Sequence, residues 1–186
     1  MGMTMSSHSR TGHAGPSLSE RSAPAVPLVD SAHFRDVLSR FASGIVVVTA
    51  IAGDQPVGLT CQSFTSLSLE PPMVLFCPAK SSTSWPAVAA AGNLCINILS
   101  EGQDEVSNGF ARSGADKFAG VDWTLLPNGS PALDGAAAHI GAKVAVIHEG
   151  GDHHIVTCLV ESLQAHEERN PLLYYRSRYR HLRALD

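Results

Sequence analysis

Short runs of β-branched and apolar residues, separated by turn residues, constrain the fold of this chain more than any other feature. The strand candidates lie at residues 45–49, 57–60, 64–69, 73–77, 94–99, 137–148, 153–164 and 172–175. Helical patterns are fewer: one begins at Asp30 or Ser31 and ends at Gly44, one covers 85–91, and a short one covers 102–111. Helices and strands do not alternate as in a parallel βαβ array. The order therefore predicts a mainly β (α+β) domain, an antiparallel barrel with peripheral helices.

Length and composition bound the organisation and the class of partner. The chain has 186 residues, enough for one domain with its own core, and its 44% hydrophobic content is typical of a folded protein. Residues 1–27 are rich in Ser, Gly, Pro and Ala without periodicity, which predicts a disordered tail before a domain at 28–186. The net charge of −4 argues against phosphate-driven nucleic-acid binding.

Cysteine spacing and hydropathy indicate a cytoplasmic protein without a metal site. The four cysteines have no C-x-x-C pair, and each lies in or beside an apolar run, so reduced and buried thiols are expected. No apolar run reaches the roughly 18 residues that span a bilayer, and the N-terminus lacks the apolar segment of a secretory signal.

Four polar features could carry chemistry, and each has a structural alternative. The hydroxyl-rich stretch 58–68 could bind a polar ring edge, or it could be a solvated edge strand. Residues 78–84 could bind an anion, or Ser82 or Ser84 could simply cap a helix. The turn 151–154 carries histidines that could contact a ligand or lie on the surface, and Asn97 could bond to backbone or ligand. Nucleotide-binding and hydrolase fingerprints such as G-x-G-x-x-G and G-x-S-x-G are absent from the sequence.

Taken in order, several motifs resemble those of the short-chain flavin reductases. They are Phe34-Arg35-x-x-Leu38-x-x-Phe41-Ala42-Ser43-Gly44, Gly58-x-Thr60-x-x-Ser63-Phe64-x-Ser66, Asn97-Ile98-Leu99, Gly151-Asp152-His153 and Pro171-Leu172-Leu173-Tyr174-Tyr175. Each is weak alone, but their ordered sum covers about residues 31–180. The resemblance implies a flavin-binding split β-barrel of Greek-key-like topology that forms a homodimer.

The resemblance also implies which residues form the site. It assigns the hydroxyl run to the flavin ring edge and ribityl chain, the 80–82 segment to the phosphate, and Asn97 to the floor. The implied flavin residues are Thr49, Gly58, Thr60, Cys61, Gln62, Ser63, Ser66, Lys80, Ser81, Ser82, Asn97, Phe110 and Lys117. Gly151, Asp152 and His153 are the implied nicotinamide contact, with His153 the principal residue.

The function implied by this resemblance is NAD(P)H-dependent flavin reduction, using NADH or NADPH and FMN or FAD. Reduced flavin would pass to a separate oxygenase that hydroxylates an aromatic substrate, with a phenolic secosteroid of sterol catabolism as the specific expectation. One alternative is a pyridoxamine-phosphate-oxidase-like enzyme, which would carry more arginine and lysine for a substrate phosphate. Another is a non-enzymatic flavin-binding protein, which has no need of the 151–153 nicotinamide turn.

Overall fold

The computed structural model describes residues 29–114 and 116–182, so the tail predicted at 1–27 lies outside the described residues. The helices are α1 (Ser31–Leu38), α2 (Trp85–Ala91) and α3 (Asp104–Ala111). The strands are β1 (Ser43–Gly44), β2 (Val46–Ala52), β3 (Gln55–Cys61), β4 (Phe64–Leu69), β5 (Pro72–Phe76), β6 (Asn93–Ile98), β7 (Trp123–Leu125), β8 (Pro131–Leu133), β9 (Ala138–Gly150), β10 (His153–Ala165), β11 (Leu173–Tyr175) and β12 (Arg178–Arg180). The mainly β class predicted from the sequence is confirmed.

Seven of these strands form one antiparallel sheet in the order β3-β2-β6-β9-β10-β5-β4. The consecutive strands β5 and β6 flank the β9–β10 hairpin, so the connection through α2 crosses from one side of that hairpin to the other. Inward side chains of β2, β3, β5, β6, β9 and β10 belong to one buried cluster, which α2 completes with Trp85 and Val88. A sheet that encloses one core while its two edge strands, β3 and β4, do not pair with each other is a split barrel.

Strand β2 is buried on both of its faces, which explains its unbroken β-branched sequence. Val46 and Val48 point into the barrel cluster, while Val47 belongs to a second cluster with Phe110 and Leu172. This second core lies outside the barrel and includes α3, β8 and the segment before β11. It fixes α3 beside β3, at the edge of the barrel.

Helix α1 is shorter than the sequence predicts: it ends at Leu38, whereas the prediction extends it to Gly44. The Asp30 carboxylate accepts hydrogen bonds from the Ala32 and His33 amides at 3.0 and 2.9 Å, the predicted N-cap. After Leu38 the bonds tighten to a three-residue spacing, and Ser43 and Gly44 then pair with β11 instead of extending the helix. The pairing of Ser43 and Gly44 with a strand about 130 residues further along the chain leaves no local periodicity that the sequence could show.

A buried polar group on β6 ties the barrel to β8. Asn97 donates to the Val47 carbonyl oxygen at 2.9 Å and to the Thr49 hydroxyl oxygen at 3.0 Å, and its own oxygen accepts from the Leu133 amide at 2.7 Å. The Thr49 hydroxyl in turn donates to the Pro131 carbonyl oxygen. Both side chains are fully buried. Of the two alternatives that the sequence leaves open for Asn97, the structure shows the backbone partner.

Because these bonds satisfy buried groups, we expect Asn97→Ala to lower the free energy of unfolding by about 3 kcal/mol, since the Leu133 amide loses its acceptor. Urea denaturation measures the change. Asn93→Ala, on the same strand but exposed and with one side-chain hydrogen bond, is the control and should cost less than about 1 kcal/mol. Equal losses for the two variants would contradict this role.

Candidate functional site

A cleft of about 390 Å³ opens where β3 and β5 end. Its walls are Leu59–Ser63 at the end of β3, the segment 77–83 after β5 without Lys80, and the end of α3 with Ser113 and Lys117. His153, the first residue of β10, completes the lining. The cleft therefore lies at the unpaired edge of the barrel, between loops that the two cores hold in place.

The β3 wall is held to α3 and to β5 by its own side chains. The Thr60 hydroxyl donates to the Ser107 carbonyl oxygen at 2.6 Å, which fixes α3 against the strand. The Cys61 thiol lies 3.5 Å from the Cys77 carbonyl oxygen. Burial raises the pKa of Cys61 to about 11, so its thiol stays protonated at neutral pH. Cys61 is therefore a packing residue of the wall and not a nucleophile.

Lys117 joins β3 to the end of α3. Its ammonium donates to the Phe110 carbonyl oxygen at 2.8 Å and to the Gly58 carbonyl oxygen at 3.2 Å, and desolvation lowers its pKa. Gly58 leaves room for this arrangement, since a Cβ there would lie 2.8 Å from Phe110 Cε1 and 2.9 Å from the Val48 carbonyl oxygen. The Phe110 ring packs edge-to-face on Phe118 at 4.9 Å in the second core. One cation and two backbone carbonyls thus close this end of the cleft.

The segment after β5 presents hydroxyls next to the start of α2. The Ser82 hydroxyl accepts from the Trp85 amide at 3.3 Å, whereas Ser84 makes no side-chain cap bond. Ser81 and Ser82 line the cleft, but Lys80 does not. The Lys80 ammonium instead forms an ion pair with the Glu149 carboxylate.

The β9–β10 turn brings His153 to the cleft. Gly151 adopts a φ of +74°, as the predicted tight hairpin requires. The Asp152 carboxylate contacts His153 Nδ1 at 2.8 Å, and this hydrogen bond lowers the pKa of Asp152. His154 lies on the opposite face, as strand alternation predicts, with its ring 6.2 Å from that of Trp85.

The structure brings together many, but not all, of the residues that the sequence indicates. Those that line the cleft are Thr60, Cys61, Gln62, Ser63, Ser81, Ser82, Phe110, Lys117 and His153. Those outside the lining are Thr49, Gly58, Ser66, Lys80, Asn97, Gly151 and Asp152. Thr49 and Asn97 are in the protein interior, and Ser66 is on the exposed strand β4. Flavin contact by Thr49, Gly58, Ser66, Lys80 and Asn97, and nicotinamide contact by Gly151 and Asp152, stay predictions that this placement does not favour.

Seven further lining residues were not named individually from the sequence. Leu59 lies within the indicated stretch 58–68, and Pro78, Ala79 and Thr83 lie within the indicated stretch 78–84. Cys77, Ala111 and Ser113 lie outside both stretches, although Cys77 directly precedes the second one. Ser113 follows α3 without any motif, and only the packing of that helix on β3 brings it to the cleft.

The composition of the lining fits a flavin. Six lining side chains carry hydroxyls, Lys117 supplies a positive charge, and the described lining holds no carboxylate. The volume falls within the usual range for cofactor pockets. Hydroxyls and amides can bond a polar ring edge, a polyhydroxy chain and a phosphate. The described lining holds no carboxylate pair or activated nucleophile, so this arrangement suits chemistry that its cofactors carry.

Comparison with known proteins agrees with this geometry. Residues 38–183 match the model of the flavin reductase like domain. The chain is 46% identical over 157 residues to the flavin-dependent monooxygenase reductase subunit HsaB of Rhodococcus jostii, covering 84% of this chain and 80% of that protein. The crystal structure of nitrilotriacetate monooxygenase component B from Mycobacterium thermoresistibile matches with a TM-score of 0.79 and 47% identity, over 82% and 86% of the two chains.

A second solved structure was determined with ligand fragments. The NADH:FAD oxidoreductase SgcE6 of Streptomyces globisporus, in complex with NAD and FAD fragments, matches with a TM-score of 0.79 and 34% identity. The alignment covers 87% of this chain and 98% of that one. The chain therefore belongs to the flavin reductase like family, and the flavin reductase class that its motifs predict is confirmed.

Proposed function

We propose that this chain uses NAD(P)H to reduce FMN or FAD in the cleft at the unpaired edge of the barrel. The observation that carries the proposal is the meeting of a hydroxyl-lined wall with His153 across one cavity. When both are bound, the nicotinamide supplies a hydride and the flavin accepts it. The residues of the chain align the two rings and exclude water between them.

Different walls of the cleft would bind different parts of the flavin. Residues 60–63 would hold the ring edge of the flavin, and Ser81 and Ser82 would hold its phosphate. Lys117 uses two of its three N–H donors on the Gly58 and Phe110 carbonyls, which leaves one for an anionic or carbonyl oxygen of the flavin.

His153 is the nicotinamide contact in this proposal. The Asp152 carboxylate holds Nδ1, so Nδ1 carries the proton and Nε2 remains for the ligand.

The lining supports this activity over the alternatives. Among the described lining residues Lys117 is the one lysine and there is no arginine, so few cations could bind the phosphate of a pyridoxamine-phosphate substrate. A protein that only stores flavin needs no nicotinamide contact.

The reduced flavin passes to a separate oxygenase component. The similarity to the monooxygenase reductase subunit HsaB and to a monooxygenase component B supports this partner. Gln62, Ser63 and Ser81 of the lining are exposed, which suits release of a flavin that acts as a substrate. A phenolic secosteroid stays the predicted substrate of the oxygenase.

We place the protein in the cytoplasm. All four cysteines are free, which fits a reducing compartment. In the described part of the chain, the longest helices have eight residues and none could cross a bilayer.

A second copy of the chain would cover an apolar strip on the outer face of the sheet. Val74 and Phe76 of β5 point into the core, so their neighbours Met73 and Leu75 point outward. On the adjacent strand β10, Thr157 is opposite Leu75 and Leu159 is opposite Met73. Leu159 is 40% exposed and has Lys143 at the edge of the strip opposite it on β9, whereas Val146, opposite Thr157, is 47% exposed. Exposed apolar strips of this kind mark interfaces, which supports the homodimer.

His153→Ala should raise the KM for NADH about tenfold and leave the KM for flavin nearly unchanged, because one ligand hydrogen bond is lost. The assay follows NADH oxidation, which should require added FMN or FAD. His148→Ala, an exposed histidine of β9 outside the lining, is the matched control. An unchanged KM for NADH, or oxidation without flavin, would refute the corresponding assignment.

Gly58→Ala should destabilise the site, because its Cβ meets both the Phe110 ring and the Val48 carbonyl oxygen at under 3 Å. We expect a loss of about 2 kcal/mol in urea denaturation together with a higher KM for flavin. The control is Gly109→Ala on α3, where a Cβ meets nothing within 4 Å. If Gly58→Ala behaves like that control, the close packing of β3 on Phe110 is not required.

Val146→Glu should convert the dimer to a monomer, because it places a charge in the apolar strip at a position whose cross-strand partner, Thr157, carries none. Light scattering would then report a mass near the 19.6 kDa of one chain. Leu125→Glu, an exposed leucine on β7 and outside this strip, should leave the dimer intact. A wild-type monomer, or a dimer that survives Val146→Glu, would contradict the proposed interface.

A further inference from the structure

We propose that Lys80 is a positioning residue for the nicotinamide site, which it serves through its ion pair with Glu149, and that it is not a ligand of the flavin phosphate. The inference rests on the proposed contact between His153 and the nicotinamide. Lys80 follows the strand end that forms one wall of the cleft, and Glu149 lies at the end of β9, just before the turn that carries His153. The ion pair therefore joins the flavin wall to the nicotinamide turn.

Backbone hydrogen bonds already place these two segments side by side. The Lys80 amide donates to the Asp152 carbonyl oxygen at 2.9 Å, and the His154 amide donates to the Pro78 carbonyl oxygen at 2.9 Å. Ala79 and His153 form an isolated antiparallel bridge between them. These bonds tie the turn to the 78–80 segment and continue the register of the β5–β10 pairing, while β9 pairs with β10 up to the turn itself. The Lys80–Glu149 ion pair lies beside this contact and adds a side-chain link between the two segments.

Charges at the turn converge on the Lys80 ammonium. Its hydrogen bond lowers the pKa of Glu149, so the carboxylate is charged at neutral pH. The other Glu149 oxygen lies 3.8 Å from His154 Nδ1, on the strand that continues from the turn. The pKa of Asp152 is lowered chiefly by His153 and to a smaller extent by Lys80. Lys80 thus faces the carboxylate at the start of the turn and also influences the one that orients the His153 ring.

The same placement argues against phosphate binding by Lys80. Its neighbours Ala79, Ser81 and Ser82 line the cleft, whereas Lys80 is outside the lining. Its ammonium is committed to a carboxylate, and an anionic phosphate would have to displace that partner. The positive charge within the lining comes from Lys117.

The test compares KM values for the two substrates of the full-length protein. Lys80→Met should raise the KM for NADH about fivefold, the scale of a partly exposed ion pair, and leave the KM for FMN and kcat within about 1.5-fold. Lys80→Arg and the charge exchange Lys80→Glu with Glu149→Lys should restore most of the affinity for NADH. Arg178→Met removes an exposed positive charge on β12, outside the cleft lining, and should change neither KM.

Amide hydrogen exchange separates a failure of this inference from a failure of the proposed nicotinamide contact. In Lys80→Met the backbone amides at positions 80 and 154 should exchange faster, because the ion pair beside their hydrogen bonds is lost. Unchanged exchange, or a rise in the KM for FMN in place of NADH, would overturn the positioning role. If exchange is faster while both Lys80→Met and His153→Ala leave the KM for NADH unchanged, the turn is positioned as inferred but does not bind the nicotinamide.

Discussion

The pairing of β9 with β10 is the interaction on which the rest of the structure depends. Each strand has 13 residues, and they pair from the turn at Gly150 and His153 to Ala138 and Ala165 at the far end. Strand β6 adds to β9 and β5 adds to β10, so the two halves of the barrel are built on opposite sides of one hairpin. Its inward residues enter the main core, while its turn reaches the cleft. The register that buries the core therefore also places the site.

The cleft lies where the barrel does not close. Because β3 and β4 do not pair with each other, each has one edge whose backbone groups are not bonded to a neighbouring strand of the sheet. Cys61 is in the main core and also in the lining, and Phe110 is in the second core and also in the lining. A flavin would thus rest on side chains that the two cores hold rigid. Rigid support is what a site needs when its task is alignment.

Long elements and contiguous motifs could be predicted from the sequence, because their signals are local. The runs that became β2 and β6 are mostly apolar, β9 and β10 are long segments on either side of a Gly-Gly-Asp turn, and the hydroxyls of 60–63 are close neighbours in the chain. The strands β1, β7, β8 and β12 have two or three residues each, too few for a period to show. Their existence depends on partners distant in sequence.

Side-chain direction is the part of the site that the sequence does not determine. From the sequence, Asn97 in an apolar strand can bond inward or toward a ligand. Its partners Val47, Thr49 and Leu133, all distant in sequence, direct it to the interior. The position of Lys80 beside two serines of the lining predicts a phosphate ligand, but in the structure its ammonium forms an ion pair with Glu149. His153 and His154 are adjacent, yet alternation sends one to the cleft and the other to Trp85. In a site without an acid–base pair, such directions are what set the activity, because the protein contributes geometry to reactants that carry their own chemistry.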